Sequence, residues 1–328
     1  KDFLKKRIKL LKEISEALNS IHNQDYKPNN YKFLIGAWLD DLLKLYLTRK
    51  FYNKFNKEKL LVEKKLKINL NNNYSEYISR TNQYNFNLNI FSKLKNVEQK
   101  INFKLKKKII KESIIRKLLK VLILSILKIL ITKKTTLIIN SGFSTNALIK
   151  LFFFSKFKVV PFYNLSFVKP KNSFYLDNKH LRKKFYNLIK TKLPRDLSLI
   201  IMDTIPSAYV EEFKYYEEKS KKNYQFLPGK VFSKTSHLDD EIFKMTLMRW
   251  SKYLNSKPKI LILQHGGNYS IGNEYAIGLH DYEISNKYYT WGHKFKKKHF
   301  PSYSHQILSK FLLYKKQKNK FKKKYFTF

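Results

Sequence analysis

Thr135-Thr136-Leu137-Ile138-Ile139-Asn140-Ser141-Gly142-Phe143-Ser144, continued through residues 145–154 and then Lys158-Val159-Val160-Pro161-Phe162, decides the fold class. Residues 135–140 form a short β-branched, apolar run of the kind that makes a buried strand. Ser141-Gly142-Phe143 reads as a turn. Residues 144–154 read as a helix and 158–162 as a second strand. Strand, helix and strand within about thirty residues make a βαβ unit, whose two strands run parallel.

The same pattern recurs downstream, with a strand over 230–233, a helix over 237–254 and a strand over 259–264. Ser236 can cap that helix, and Asp239, Asp240 and Glu241 fall in its first turn, where the helix dipole favours negative charge. Residues 197–202 are a further strand candidate. Several βα units imply an α/β fold with a Rossmann-like, doubly wound parallel sheet. Upstream, Leu4, Ile8, Leu11, Ile14 and Leu18 recur at three- and four-residue spacing, which predicts an amphipathic helix. A polar stretch over 23–30 interrupts it, and helical patterning resumes over 31–52. Residues 61–112 are Asn- and Lys-rich and read as loops, short strands and a variable region. Residues 113–131 are the most apolar stretch, but Arg116, Lys117, Lys120 and Lys128 interrupt it. A buried helix is expected there rather than a membrane span, with a membrane-surface helix as the alternative. No further βα unit is expected after Pro301. The expected organisation is therefore a helical and variable region over 1–112, the Rossmann-like domain over 113–301 and a basic tail over 302–328.

Composition narrows the function classes. The 328 residues carry 68 Lys+Arg against 24 Asp+Glu, a formal net charge of +44. Such a field attracts anions: nucleic acid, anionic lipid or phosphorylated ligands. The accompanying wealth of Asn, Ile, Phe and Tyr points to a compositional origin for much of the lysine. No zinc-finger, RRM or KH signature is present. With 43 % hydrophobic residues the chain can bury a sizeable core, which excludes wholesale disorder. The absence of cysteine excludes disulfide scaffolds, iron–sulfur clusters and Cys-based zinc sites. The chain begins at Lys1 with no signal-like segment, and so reads as an internal or trimmed chain.

Glycine is scarce, with eight in all, and five of them (Gly266, Gly267, Gly272, Gly278 and Gly292) fall within 266–292. Five of the eight histidines lie between 265 and 305. In a chain that avoids glycine, this crowding marks backbone that turns sharply or approaches a ligand. Gln264-His265-Gly266-Gly267 falls at the carboxyl end of a strand, where open α/β sheets bind ligands. An ordinary turn would also use the two glycines. The spacing is neither a Walker loop nor a dinucleotide fingerprint. His265 is a candidate base or phosphate ligand. Glu274 and Glu283 are the carboxylates near it in sequence, able to orient a histidine or bind sugar hydroxyls. His265, His280 and Glu283 fit no named metal motif, so no metal is expected. Trp291 either stacks on a sugar or fills the core.

Gln264-His265-Gly266-Gly267-Asn268-Tyr269, Glu283-Ile284-Ser285-Asn286 and Thr290-Trp291-Gly292 resemble a motif set in a family of transferases encoded with bacterial surface-carbohydrate (O-antigen and capsule) genes. Further blocks follow in family order: Leu18–His22 by number 18–22, residues 31–39 around Gly36-Ala37-Trp38-Leu39, Ile205-Pro206 with Tyr209, Val210 and Glu211, and Asp239-Asp240 with Phe243-Lys244. The sequence departs from the family's pattern at Asn286, where the family has Asp, at His293 (Trp) and at Ala37 (Pro). The resemblance implies the amino-terminal half of a two-Rossmann, GT-B-like glycosyltransferase, without its second Rossmann domain and inactive alone. It implies transfer from a nucleotide sugar to a glycan or lipid-linked surface-polysaccharide precursor, with the nucleotide sugar as substrate and no cofactor. His265 and Glu283 would be catalytic. Gln264, Gly266, Gly267, Tyr269, Glu274 and Trp291 would bind substrate. The expected location is the cytoplasm, peripheral to the inner face of the cytoplasmic membrane, with an anionic membrane surface as a further partner and no specific nucleic acid. The alternatives are a basic polyanion- or nucleic-acid-binding protein and a peripheral membrane module.

Overall fold

The computed structural model describes residues 2–55, 65–95, 100–104, 125–126, 128–162, 178–253, 257–266, 276–294 and 296–302. The chain divides into two compact units. One is helical and comprises Lys1–Ile123, Asn164–Leu227 and Ser236–Lys257; the other, Leu124–Tyr163, Pro228–Thr235 and Pro258–Phe328, holds the main sheet.

In the helical unit, α1 (Asp2–His22) packs on α2 (Pro28–Phe55). Pro28 pre-sets the first helical φ of α2, and Asn30 accepts a hydrogen bond from Lys27 N at 2.9 Å. On α2, Tyr31, Leu34, Ile35, Trp38, Leu42 and Tyr46 are buried at the spacing of one helix face. The buried face of α1 differs from the expected stripe: Leu4 and Ile8 are exposed, whereas Arg7, Leu10, Leu11, Ile14 and Leu18 are buried. The reason lies on α2. Asp40, fully buried, takes Arg7 Nε on one oxygen and Arg7 Nη2 on the other at 3.1 Å. A forked guanidinium–carboxylate pair of this kind fixes the rotation of one helix against the other.

Strands β1 (Lys65–Asn69) and β2 (Lys100–Lys104) pair in parallel. The loop-like reading of 61–112 is corrected between them, by α3 (Tyr74–Arg80) and α4 (Tyr84–Leu94). Asn73 caps α3 by accepting from Glu76 N at 2.9 Å, and Glu76 reaches back to Asn72 N at 3.0 Å, an arrangement close to a capping box. Helix α5 (Thr145–Phe154) belongs to the sheet unit; α6 (Lys179–Ile189), α7 (Arg195–Thr204) and α8 (Phe213–Asn223) return to the helical one. Residues 197–202, expected as a strand, lie within α7. Leu197, Ile200, Ile201 and Thr204 are buried, the three- and four-residue period of a helix, and Pro194 stands at the N-cap. The helix expected over 237–254 is two pieces, α9 (Ser236–Asp239) and α10 (Glu241–Trp250). Asp240, not Ser236, caps the longer piece, accepting from Ile242 N at 3.0 Å and Phe243 N at 3.1 Å.

In the sheet unit, β3 (Thr136–Ile139), β4 (Val159–Pro161), β5 (Lys230–Ser233), β6 (Lys259–Leu263), β7 (Lys287–Trp291) and β8 (His299–Ser302) form one all-parallel sheet in the order β4-β3-β5-β6-β7-β8. The fold class is thus α/β and Rossmann-like. The first four strands match those expected; β7 and β8 extend the sheet where no strand was foreseen. Ser144 caps α5, and α11 (Ala276–Ile284) connects β6 to β7. Gly229, just before β5, is required by packing: a Cβ there would lie 2.0 Å from the Lys133 carbonyl oxygen. The winding direction reverses between β3 and β5, the switch point of the sheet. Most of 113–131, where a buried helix is expected, lies outside the described residues; of those described, Ile126 and Ile129 are exposed and Ile131 is buried. Among the described residues, no helix is long and apolar enough to cross a membrane.

Candidate functional site

The carboxyl end of β6 carries the candidate site. Gln264 is buried, and its polar groups are committed to backbone. Its N–H donates to Tyr289 O at 2.8 Å, its Oε1 accepts from Trp291 N at 2.9 Å, and its Nε2 donates to Gly266 O at 2.7 Å. The residue expected to bind substrate therefore shapes the strand-end loop and ties it to β7. That anchoring fixes where His265 leaves the sheet.

His265 keeps 16 % of its side chain exposed and faces a fully buried carboxylate: Nε2 lies 3.8 Å from Asp281 Oδ2. Asp281 sits on α11 next to His280, which is also fully buried. Sequence proximity points to Glu274 and Glu283. Glu283 follows Asp281 by two positions, about 200° around the helix, and Asp281 is the carboxylate that stands beside His265. The Glu283 backbone carbonyl accepts from Lys298 Nζ at 3.3 Å. Glu274, Gly267 and Tyr269 lie outside the described residues.

At the end of β7, Trp291 is half-buried, and its indole Nε1 is buried without a hydrogen-bond partner among the described residues. Gly292 follows with φ +84, a left-handed turn natural to glycine. Asn286, one of the departures from the family pattern, accepts from Ile260 N at 2.8 Å and returns its own N–H to Ile260 O at 2.8 Å. The position needs a side-chain oxygen as acceptor, and an amide supplies one as well as a carboxylate.

One strand away, the switch point offers a cation that the sequence reading missed. Lys234 follows β5 directly, and its Nζ lies 3.2 Å from where a Cβ on Gly142 would stand. The neighbouring loop is held by Asn140 Nδ2 donating to Thr235 Oγ1 at 2.6 Å. Leu261 and Ile262 of β6 pair with Phe232 and Ser233 of β5, so Lys234 and His265 leave adjacent strand ends on the same edge of the sheet.

Most other residues carrying the resemblance gather within the helical unit as framework. His22 Nε2 donates to Tyr209 O at 3.1 Å, and its ring stacks on Phe213 with centroids 4.1 Å apart. Burial pushes His22 down to about 4. Glu211 takes a forked pair from Arg182, at 2.6 and 2.8 Å, while Arg182 Nη1 also donates to Met202 O and Ile205 O. Lys244, fully buried, donates to Tyr209 Oη and sits 3.0 Å from Glu241 Oε2. Burial holds its ammonium below the usual lysine range, with Glu241 opposing. Ion pairs buried this deeply are disrupted strongly when one partner is removed.

Residues 4–327 match the family described as LIC12162 family transferase. The chain belongs to that family. Neither the curated proteins nor the solved structures yielded a match.

Proposed function

We propose that this transferase of the LIC12162 family moves a glycosyl group from a nucleotide sugar to a hydroxyl of a surface-polysaccharide precursor, in the cytoplasm. The observation that carries the reading is the pair of His265 and buried Asp281 at a strand end of a parallel α/β sheet. His265 takes the proton from the acceptor hydroxyl. The acceptor oxygen then bonds to the anomeric carbon, the bond from that carbon to the phosphate oxygen breaks, and its electron pair leaves with the nucleoside diphosphate. Asp281 stabilises the imidazolium formed and keeps the ring oriented, the task of a positioning residue. Lys234 supplies positive charge at the switch point, where the departing diphosphate gains charge.

The test is nucleotide release by the full-length protein that carries this chain, with a sugar-nucleotide panel and a polysaccharide precursor as acceptor. We expect His265→Ala to lower kcat by about 10²–10⁴-fold, with partial rescue by added imidazole. Asp281→Asn should lower kcat with little change in KM, and Asp281→Glu should recover part of the loss. Undiminished turnover in His265→Ala would overturn the assignment.

A further inference from the structure

Helix α5 is apolar in sequence, Thr145-Asn-Ala-Leu-Ile-Lys-Leu-Phe-Phe-Phe154, yet only Leu148 among its residues is buried. Phe153 is 61 % and Phe154 85 % exposed, and Ile149 and Phe157 are exposed as well. Ile149 and Phe153 lie one turn apart, as do Lys150 and Phe154, so they share the face opposite Leu148. The turn after the helix adds to that face. Lys156 and Phe157 both adopt left-handed backbone, φ 51 and 63, an uncommon conformation for residues of this size. The turn sets the Phe157 ring 4.8 Å from Phe152 and 5.8 Å from Phe153. Lys150, Lys156 and Lys158 are exposed around these rings.

We propose that this face of α5 docks on an anionic phospholipid bilayer. Charge complementarity selects the occupant. Residues 113–176 contain no carboxylate and eleven Lys or Arg, so the whole segment is electropositive. A second copy of the chain would bring the same cations to the contact and be repelled. A bilayer satisfies both parts of the surface: phenylalanine rings enter the headgroup–acyl boundary, and lysines remain at the phosphates. The proposal places the contact on α5 rather than on 113–131, and it holds whatever group the chain transfers.

Sedimentation with sucrose-loaded vesicles tests it. The chain should bind phosphatidylcholine vesicles containing about one-third phosphatidylglycerol, and bind pure phosphatidylcholine poorly. Phe153→Ser with Phe154→Ser should weaken partitioning by about tenfold or more with an unchanged thermal midpoint, since both rings are exposed. Lys150→Glu with Lys158→Glu should weaken it on anionic vesicles. If the phenylalanine variant binds as tightly as the parent, general charge attraction explains the binding and the proposal falls. It also falls if the parent ignores anionic vesicles, or if the phenylalanine variant loses self-association instead of lipid binding. None of these outcomes bears on His265, whose test is turnover.

Discussion

His22 is neutral in the folded chain because its ring is buried against Phe213 and its one satisfied nitrogen donates to the Tyr209 carbonyl. A cation there would lose its hydration, and Lys214 nearby adds repulsion. The folded value, about 4, lies below the ordinary 6.5. The unfolded chain therefore takes up a proton first, and this contribution to stability is present above pH 6.5 and lost as pH falls toward 4. Its loss amounts to up to about 3 kcal/mol. His22→Asn keeps a donor for Tyr209 O and removes the titration. Denaturant unfolding of parent and variant should diverge between these pH values; parallel curves would refute the account. Asp281 makes a related point about legibility. It stands two positions from Glu283 in the sequence, and nothing local marks it as the partner of His265. Only the rotation of α11 does.

Among the elements, α10 depends on its cap. Asp240 satisfies two amide donors at the start of the helix, which would otherwise be left without intrahelical partners. Asp240→Ala should cost about 1–2 kcal/mol in an unfolding titration; an unchanged midpoint would show that water or a neighbour serves those donors equally well. The split of the expected helix at this residue was open to reading, since Asp240 followed by an apolar period is an N-cap signal, but Ser236 offered a competing one. The α7 segment is ambiguous in sequence. Leu-Ser-Leu-Ile-Ile-Met is short enough to suit either a strand or one helix face, and burial of Leu197, Ile200 and Ile201 together settled it. On α1, a stripe based on hydrophobicity alone chose Leu4 and Ile8. It could not anticipate that the buried Arg7–Asp40 pair would rotate the helix.

Across the whole molecule, the charge of +44 is a field of self-repulsion that opposes compaction. The thermal midpoint should rise as sodium chloride is raised from about 20 mM to about 300 mM, because the Debye length contracts from roughly 20 Å to below 10 Å. A midpoint that falls over that range would mean that attractive surface pairs dominate. The sequence by itself determined the α/β class, the parallel sense of the sheet, four of its strands and the strand-end loop at 264–266. These rest on short-range signals: β-branched runs, turn residues and the connection length that parallel strands need. Tertiary structure alone decided that Asp281 faces His265, that Gln264 is tied to backbone, that Lys234 stands at the switch point and that the phenylalanines of α5 face outward. Each of those depends on which distant segments pack together and in what rotation, and the local pattern of residues carries no record of that.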